Sequence, residues 1–276
     1  FPSKYNILSN MKISIFTSMT DPDKRMDAWQ EALRCYEDFA DEVVVVGEDW
    51  PDEFSFSYIG EVFQEGLDKS NGDWVIHMDI DNFFHENSIS ILKEALSRYE
   101  NLPTITFPKY QIFTPDRYHI KANMCIALNK KKYPNLKMDG GGDLCQPTLN
   151  SELLLPENFP FVNVPIWNYD SVFKTKDVIS KDRARFARAW FREFEEWGER
   201  GGDTNELAFE AWFKMIEKRY AKNIFNLSIS DHPTYIQEKI KNLKYNQFGF
   251  DAFGLKKTIK KSKLEYLRHY KKKLFL

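Results

Sequence analysis

Between Met11 and Tyr99 the sequence alternates three times between a short apolar run and a segment of helical periodicity. This alternation limits the possible folds more than any other feature of the chain. Met11 to Thr17 (MKISIFT) reads as a buried strand, and Asp27 to Phe39 places Trp29, Leu33, Tyr36 and Phe39 near helical spacing. Val43 to Val46 is four valines followed by Gly47-Glu48-Asp49, the pattern of a central parallel strand and its turn. Ile59 to Lys69 reads as a second helix stopped by Ser70-Asn71-Gly72. Trp74 to Met78 is a third strand, and Ser88 to Tyr99 a third helix. The expected fold class is α/β: three layers, α/β/α and Rossmann-like, around a mixed, mostly parallel sheet. In such sheets ligands bind beyond the carboxyl ends of the strands. Here those ends are Thr17-Ser18, Glu48-Asp49 and Asp79-Ile80-Asp81.

The remainder is less regular. Thr104 to Thr114, Met124 to Leu128 and Val162 to Trp167 read as strands, and Met138 to Gln146 as a glycine-rich loop. Helices are expected over about Ser180 to Trp197 and Asn205 to Tyr220, the second capped by Asp203 or Thr204. No repeat or linker is visible, so 11–253 is expected to form one catalytic domain and 254–276 a basic amphipathic tail. Met11 is the expected natural start.

Charge is distributed unevenly. The 276 residues sum to −2, but the stretch from Gly254 carries +8, leaving −10 on the body. An acidic body argues against a nucleic-acid partner. In the tail Leu255, Ile259, Tyr266 or Leu267, Tyr270 and Leu274 recur every one or two turns, opposite a lysine face. That suits peripheral contact with an anionic membrane surface. Three cysteines with no CxxC spacing argue against a disulfide framework or structural zinc and for a reducing, cytoplasmic location. No apolar run approaches the roughly 18 residues of a membrane span, and Phe1 to Asn10 lacks the apolar core of a signal peptide.

The sharpest chemical signal is Asp79-Ile80-Asp81. Residues i and i+2 of an extended segment share a side. Two carboxylates held together there suit a hard divalent cation, Mn²⁺ or Mg²⁺, that in turn holds phosphates. The alternative is an ordinary strand-end turn. The stretch from Gln64 through Glu65-Gly66-Leu67, Gly72-Asp73 and the apolar strand to Asp81 resembles the glycosyltransferases of the GT-A fold, family 2-like. There a helix of the type N-x-G-L/I-x-x-A-x-G-D leads into an apolar strand and a D-x-D. Gln64 and Ser70 stand where Asn and Ala are usual. The resemblance covers residues 11 to 100. It implies a nucleotide-sugar donor, a UDP- or GDP-sugar, and a glycan or lipid-linked acceptor. It puts Asp79 near ribose or metal, Asp81 on the metal, and Thr17, Ser18 and Glu48, or Asp49 in its place, along the nucleotide. Translesion polymerases and haloacid-dehalogenase-type phosphatases carry similar strings, but on their first strand. A nucleotidyltransferase or phosphatase is therefore the runner-up, and a non-catalytic nucleotide- or glycan-binding module the third reading.

Metal ions in this fold often take a further ligand from a distant His. His232, on a loop after an expected strand at Ile224 to Ile229, is the choice here, and His77 is assigned to core packing. An inverting transfer needs a general base. Asp143, after three glycines, and Asp170, beside Trp167 and Tyr169, are the candidates, ahead of Asp139 and Glu152. Arg25 and Lys69 are weaker candidates for diphosphate contacts.

Overall fold

The computed structural model describes residues 11–48, 50–140 and 145–258. The elements are β1 (Ile13–Ser18), α1 (Trp29–Phe39), β2 (Glu42–Val46), α2 (Phe56–Lys69), β3 (Trp74–His77), β4 (Asn82–Phe83), α3 (Ile89–Arg98), β5 (Thr104–Thr114) and β6 (Arg117–Leu128). They continue with β7 (Leu136–Lys137), β8 (Thr148–Leu149), β9 (Glu152–Leu153), β10 (Ile166–Asn168), α4 (Lys176–Phe194), α5 (Asn205–Tyr220), β11 (Phe225–Asn226), α6 (Thr234–Lys241), α7 (Phe248–Asp251) and α8 (Leu255–Thr258). The main sheet runs β2-β1-β3-β6-β5-β10-β4, with β11 on β6. β1 pairs in parallel with β2 and β3, and β10 pairs in parallel with β5, while β6 runs antiparallel to β3 and β5. The result is a mixed, mostly parallel, Rossmann-like α/β sheet flanked by helices.

Period-2 alternation sorts the strands between two cores. Ile13, Ile15, Trp74 and Ile76 face the layer that holds Cys35, Tyr36 and Phe39 of α1 and Leu92 and Leu96 of α3. Phe16, Val46 and Val75 face Ile59, Val62, Phe63 and Leu67 of α2. A strand buried on both faces reads as a continuous apolar run, which is why β1 and β3 were legible.

The string that carries the family resemblance has a packing reason at each position. Gly66 lies against the Phe16 ring: a Cβ there would come within 2.3 Å of Phe16 Cδ2. Ser70 Oγ donates to the Gly66 carbonyl at 2.7 Å, turning the chain out of α2. A Cβ on Gly72 would meet Ser14 N at 2.5 Å. Asp73 accepts from the Lys12 amide at 3.1 Å and pairs with Lys131 at 2.9 Å. Gln64 Oε1 accepts from the Met138 amide at 2.9 Å, so the unusual glutamine ties α2 to the segment before the glycine-rich loop.

The structure adjusts several expected elements. β6 begins at Arg117, seven residues before the apolar stretch from Met124, because β5 extends far enough to pair it. The expected strand at 162–167 shifts to Ile166–Asn168. α4 starts at Lys176 and ends at Phe194. Thr204, not Asp203, caps α5 by accepting from the Leu207 amide. The expected strand at 224–229 is the two residues of β11, because a capping box on Ser228 and Asp231 opens a helical turn straight after it. The glycine-rich loop at 141–144, Asp49 and the tail beyond 258 lie outside the described residues. At the root of the tail, Leu255 is buried and Lys256 pairs with Asp116 at 3.3 Å.

Candidate functional site

The carboxyl ends of β1, β3 and β10 open into a cavity of about 430 Å³ roofed by α4 and α5. Ser18, Asp79, Asp81, Asn168 and Asp170 line it from the sheet side. Trp50, Phe54 and Phe186 line one flank, and Trp212 and Met215 of α5 another.

The acidic turn is held by its neighbours. Tyr36 of α1 donates its hydroxyl to the carbonyls of Asp79 at 2.8 Å and Asn82 at 3.0 Å. The Asn82 amide bonds the Asp79 carbonyl at 2.8 Å, and Asn82 Nδ2 donates to Asp79 Oδ2 at 3.1 Å. Asn168 Nδ2 donates to Asp81 Oδ1 at 2.9 Å, and the Tyr169 amide bonds the Asp81 carbonyl at 2.9 Å, so β10 clamps the second aspartate. Lys109 of β5 is almost fully buried with its Nζ 3.6 Å from Asp79 Oδ2. His77 Nε2 is 3.5 Å from Asp79 Oδ1, its ring packed on Phe16 and Phe63 with centroids 4.7 and 4.2 Å away. His77 therefore keeps its core role, and burial holds its pKa down.

The two aspartates sit in different fields. Burial works against ionisation of Asp79, but Lys109, His77 and the Asn82 bond outweigh it and hold its pKa below the usual value. Asp81 is pushed up to about 7, first by burial and then by the charges of Asp170 and Asp79. Burial also opposes the charge on Asp170, but Arg183, Lys174 and Lys121 hold it well below the ordinary carboxylate range, with Arg183 bonded to Oδ2 at 2.8 Å. A carboxylate so strongly stabilised as the anion is a weak proton acceptor.

Among the described residues no three or more His, Cys, Asp or Glu gather as a metal-binding group. Asp79 and Asp81 nonetheless fit a hard cation that takes its remaining ligands from water and a bound ligand. Both offer carboxylate oxygens, and Asp81 lies in a negative field that a divalent cation would relieve.

Other expected site residues divide clearly. Ser18 lines the cavity, whereas Thr17 alternates into the opposite layer and is fully buried. Glu48 is exposed and does not line the cavity; Trp50, two residues later, does. Asp49 and Asp143 lie outside the described residues. Asp139 accepts from Thr148 and Glu152 is exposed on β9; neither lines the cavity. Arg25 lines it and bonds Asp27 at 3.0 Å and Asp182 at 2.8 Å, while Lys69 sits on the solvent face of α2 paired with Glu65.

His232 is a correction. It is fully buried away from the acidic pair, with Nε2 2.8 Å from the Pro115 carbonyl and Nδ1 2.8 Å from the Tyr169 hydroxyl. The carbonyl can only accept, so Nε2 carries the proton and Nδ1 takes the tyrosine's. Neither nitrogen has a lone pair left for a metal, and the ring instead ties β5, the segment after β10 and the start of α6 together.

Sequence reasoning missed Lys109, Lys121, Asn168, Arg183 and Trp212. Lys109 had a signal, a lysine inside the apolar run Thr104 to Thr114. Arg183 and Trp212 looked like ordinary helix residues, because only tertiary packing turns α4 and α5 over the strand ends.

No family model matches the chain, and no curated protein matches it by sequence. Among solved structures it is similar to residues 1–349 of TarS from S. aureus, a glycosyltransferase. The overlay covers 89% of this chain and 88% of that one at 7% identity, with a TM-score of 0.31.

Proposed function

We propose that the protein is a glycosyltransferase that moves a sugar from a nucleoside-diphosphate sugar to a hydroxyl of a glycan or lipid-linked acceptor. The observation that carries this reading is the acidic pair at the carboxyl end of β3, opening into a cavity bordered by both lysines or arginines and aromatic rings. Asp79 and Asp81 would hold Mn²⁺ or Mg²⁺, which when bound neutralises charge developing on the diphosphate leaving group. Arg25 and Arg183 are fixed by their own carboxylate partners, so the cations lining the cavity are oriented before a ligand arrives. Trp212 and Trp50 offer ring faces and edges for sugar or base. Asn168 orients Asp81 through its amide. If the transfer inverts configuration, Asp170 or Asp143 takes the acceptor proton; Asp170 lines the cavity, and Arg183 would have to move off it for that role. The basic tail would bring the enzyme to an anionic, cytoplasmic membrane surface where lipid-linked acceptors lie.

The test is a thermal-shift panel with UDP-, GDP- and CMP-sugars, with and without Mn²⁺, followed by donor turnover in Asp81→Asn. Stabilisation by one donor, enhanced by Mn²⁺, and turnover lost in Asp81→Asn are expected. No stabilisation by any nucleotide would refute the reading, and turnover retained in Asp81→Asn would remove the acidic pair from the chemistry.

A further inference from the structure

The hairpin of β5 and β6 breaks register at one point inside the cavity. Lys109 pairs with Ala122, but the next residue, Tyr110, pairs with Ile120. Lys121 is therefore the extra residue of a β-bulge, left out of the ladder. In a regular antiparallel pair Lys121 would stand opposite Tyr110, one step along from Lys109 and on the other face. The bulge removes that alternation, and both lysines line the same cavity.

This arrangement costs the folded protein. Burial first, and then the charge of Lys109, pull the Lys121 pKa below its usual value. Asp170 and Asp81 offset part of that, but no ion pair or hydrogen bond holds the Lys121 ammonium among the described residues. Lys109 is nearly buried, and among the described residues its ammonium has only the long 3.6 Å approach to Asp79. The chain's body is strongly acidic, yet seven Lys and Arg against six Asp and Glu line this cavity. Two under-compensated ammonium groups brought together by a backbone irregularity at a ligand-sized cavity match a multiply charged anion.

We propose that Lys109 and Lys121 form a phosphate-binding site that holds a phosphate or diphosphate group directly, without a divalent cation between them. The site stands on the bulge geometry and does not require that the ligand be a sugar donor. The phosphate could belong to the donor or to a phosphorylated acceptor, and the probes separate these sources.

The experiment is isothermal titration calorimetry and thermal shift of the full chain in EDTA. The probes are inorganic pyrophosphate, UDP, GDP and CDP on one arm, and inorganic phosphate and glycerol 3-phosphate on the other. Pyrophosphate is expected to bind in EDTA, with affinity falling as salt rises. Lys121→Met should weaken it about tenfold or more, and Lys121→Arg should keep most of it. Unliganded Lys121→Met should melt at the same temperature as the parent or higher, because a repulsion is removed; a clear loss would mark Lys121 as structural and overturn the proposal. Lys109→Gln serves as a second variant with the same expectation for binding. Preference for diphosphates assigns the donor as source, and preference for monophosphates assigns the acceptor. No binding of any probe in EDTA, or binding unchanged in both lysine variants, would overturn the site. Pyrophosphate bound in EDTA with no sugar-nucleotide turnover would leave the site standing and sink the transferase reading. Turnover with phosphate bound only through Mn²⁺ would do the reverse.

Discussion

Gly66 is where a sequence motif meets a steric fact, and Gly66→Ala tests whether the motif is a packing device. The helix α2 crosses β1 at this glycine. An added methyl would stand 2.3, 2.8 and 2.9 Å from Cδ2, Cγ and Cε2 of Phe16, so it must displace the ring by more than 1 Å to reach ordinary contact. The ring has little room: Phe16 is fully buried and stacks on His77 with centroids 4.7 Å apart. Overpacking of this kind costs about 1–3 kcal/mol. Alanine in a helix interior recovers about 1 kcal/mol over glycine, so from the upper half of that range, where a 2.3 Å approach to a buried ring belongs, a net loss of about 1–2 kcal/mol remains. For a chain of this size that lowers Tm by about 2–4 °C. The assay is thermal unfolding followed by far-UV circular dichroism. Gly60→Ala, in the same helix but with its nearest contact at 3.2 Å, should change Tm less. Phe16→Leu makes room for the methyl, so the double mutant should be less destabilised than the sum of the single changes. A Gly66→Ala protein as stable as the parent, or losses that simply add with Phe16→Leu, would refute the steric argument.

Three further outcomes follow from charges whose partners are fixed. Lys174 is buried against Asp27 at 2.8 Å and Asp182 at 3.4 Å, so Lys174→Met leaves two buried carboxylates with Arg25 as their remaining ion-pair partner among the described residues; a loss of about 3–5 kcal/mol in urea unfolding is expected, and under 1 kcal/mol would refute it. Glu42 accepts from the Asn71 amide at 2.7 Å and its side chain at 2.8 Å, bonds that hold its pKa below the usual value. The unfolded state therefore takes up protons first as pH falls, and Glu42→Gln should destabilise at pH 7 by about 1 kcal/mol and by less at pH 3; an undiminished gap in acid would contradict this. Asp81 has the opposite sign. Its pKa is raised to about 7, so the folded state holds an extra proton between about pH 4 and 7 and loses stability as pH rises through that window. In EDTA, Asp81→Asn should raise Tm more at pH 8 than at pH 4.5; equal shifts at both would be the contrary result.

Residues 11–99 were legible because their signals are local. A strand between two helical layers is apolar on both faces, as in Ile13 to Phe16 and Trp74 to Ile76. Trp29 to Phe39 shows the helical period of a one-sided core contact. The acidic pair announced itself because two carboxylates at a strand end have few other reasons to sit together. Thr17 was misplaced by a single step of strand alternation, and β11 was overread because a capping box, not a strand, follows it.

The sequence by itself determined the layered α/β scaffold, the chain's turn from α2 into β3, and Asp79 and Asp81 at the end of that strand. Each depends on neighbours a few residues away: apolar periodicity, and a serine that closes a helix on the carbonyl four residues before it. The tertiary structure decided which groups surround the pair. Lys109 and Lys121 meet there through a bulge, Asn168 and Asp170 through the parallel pairing of β10 with β5, and Arg183 and Trp212 because α4 and α5 fold back over the sheet. His232, whose local context matched a ligand, was withdrawn from the site by partners 63 and 117 residues away. A side chain's chemistry is set by what lies within a few ångströms of it, and for these groups the neighbours come from across the chain.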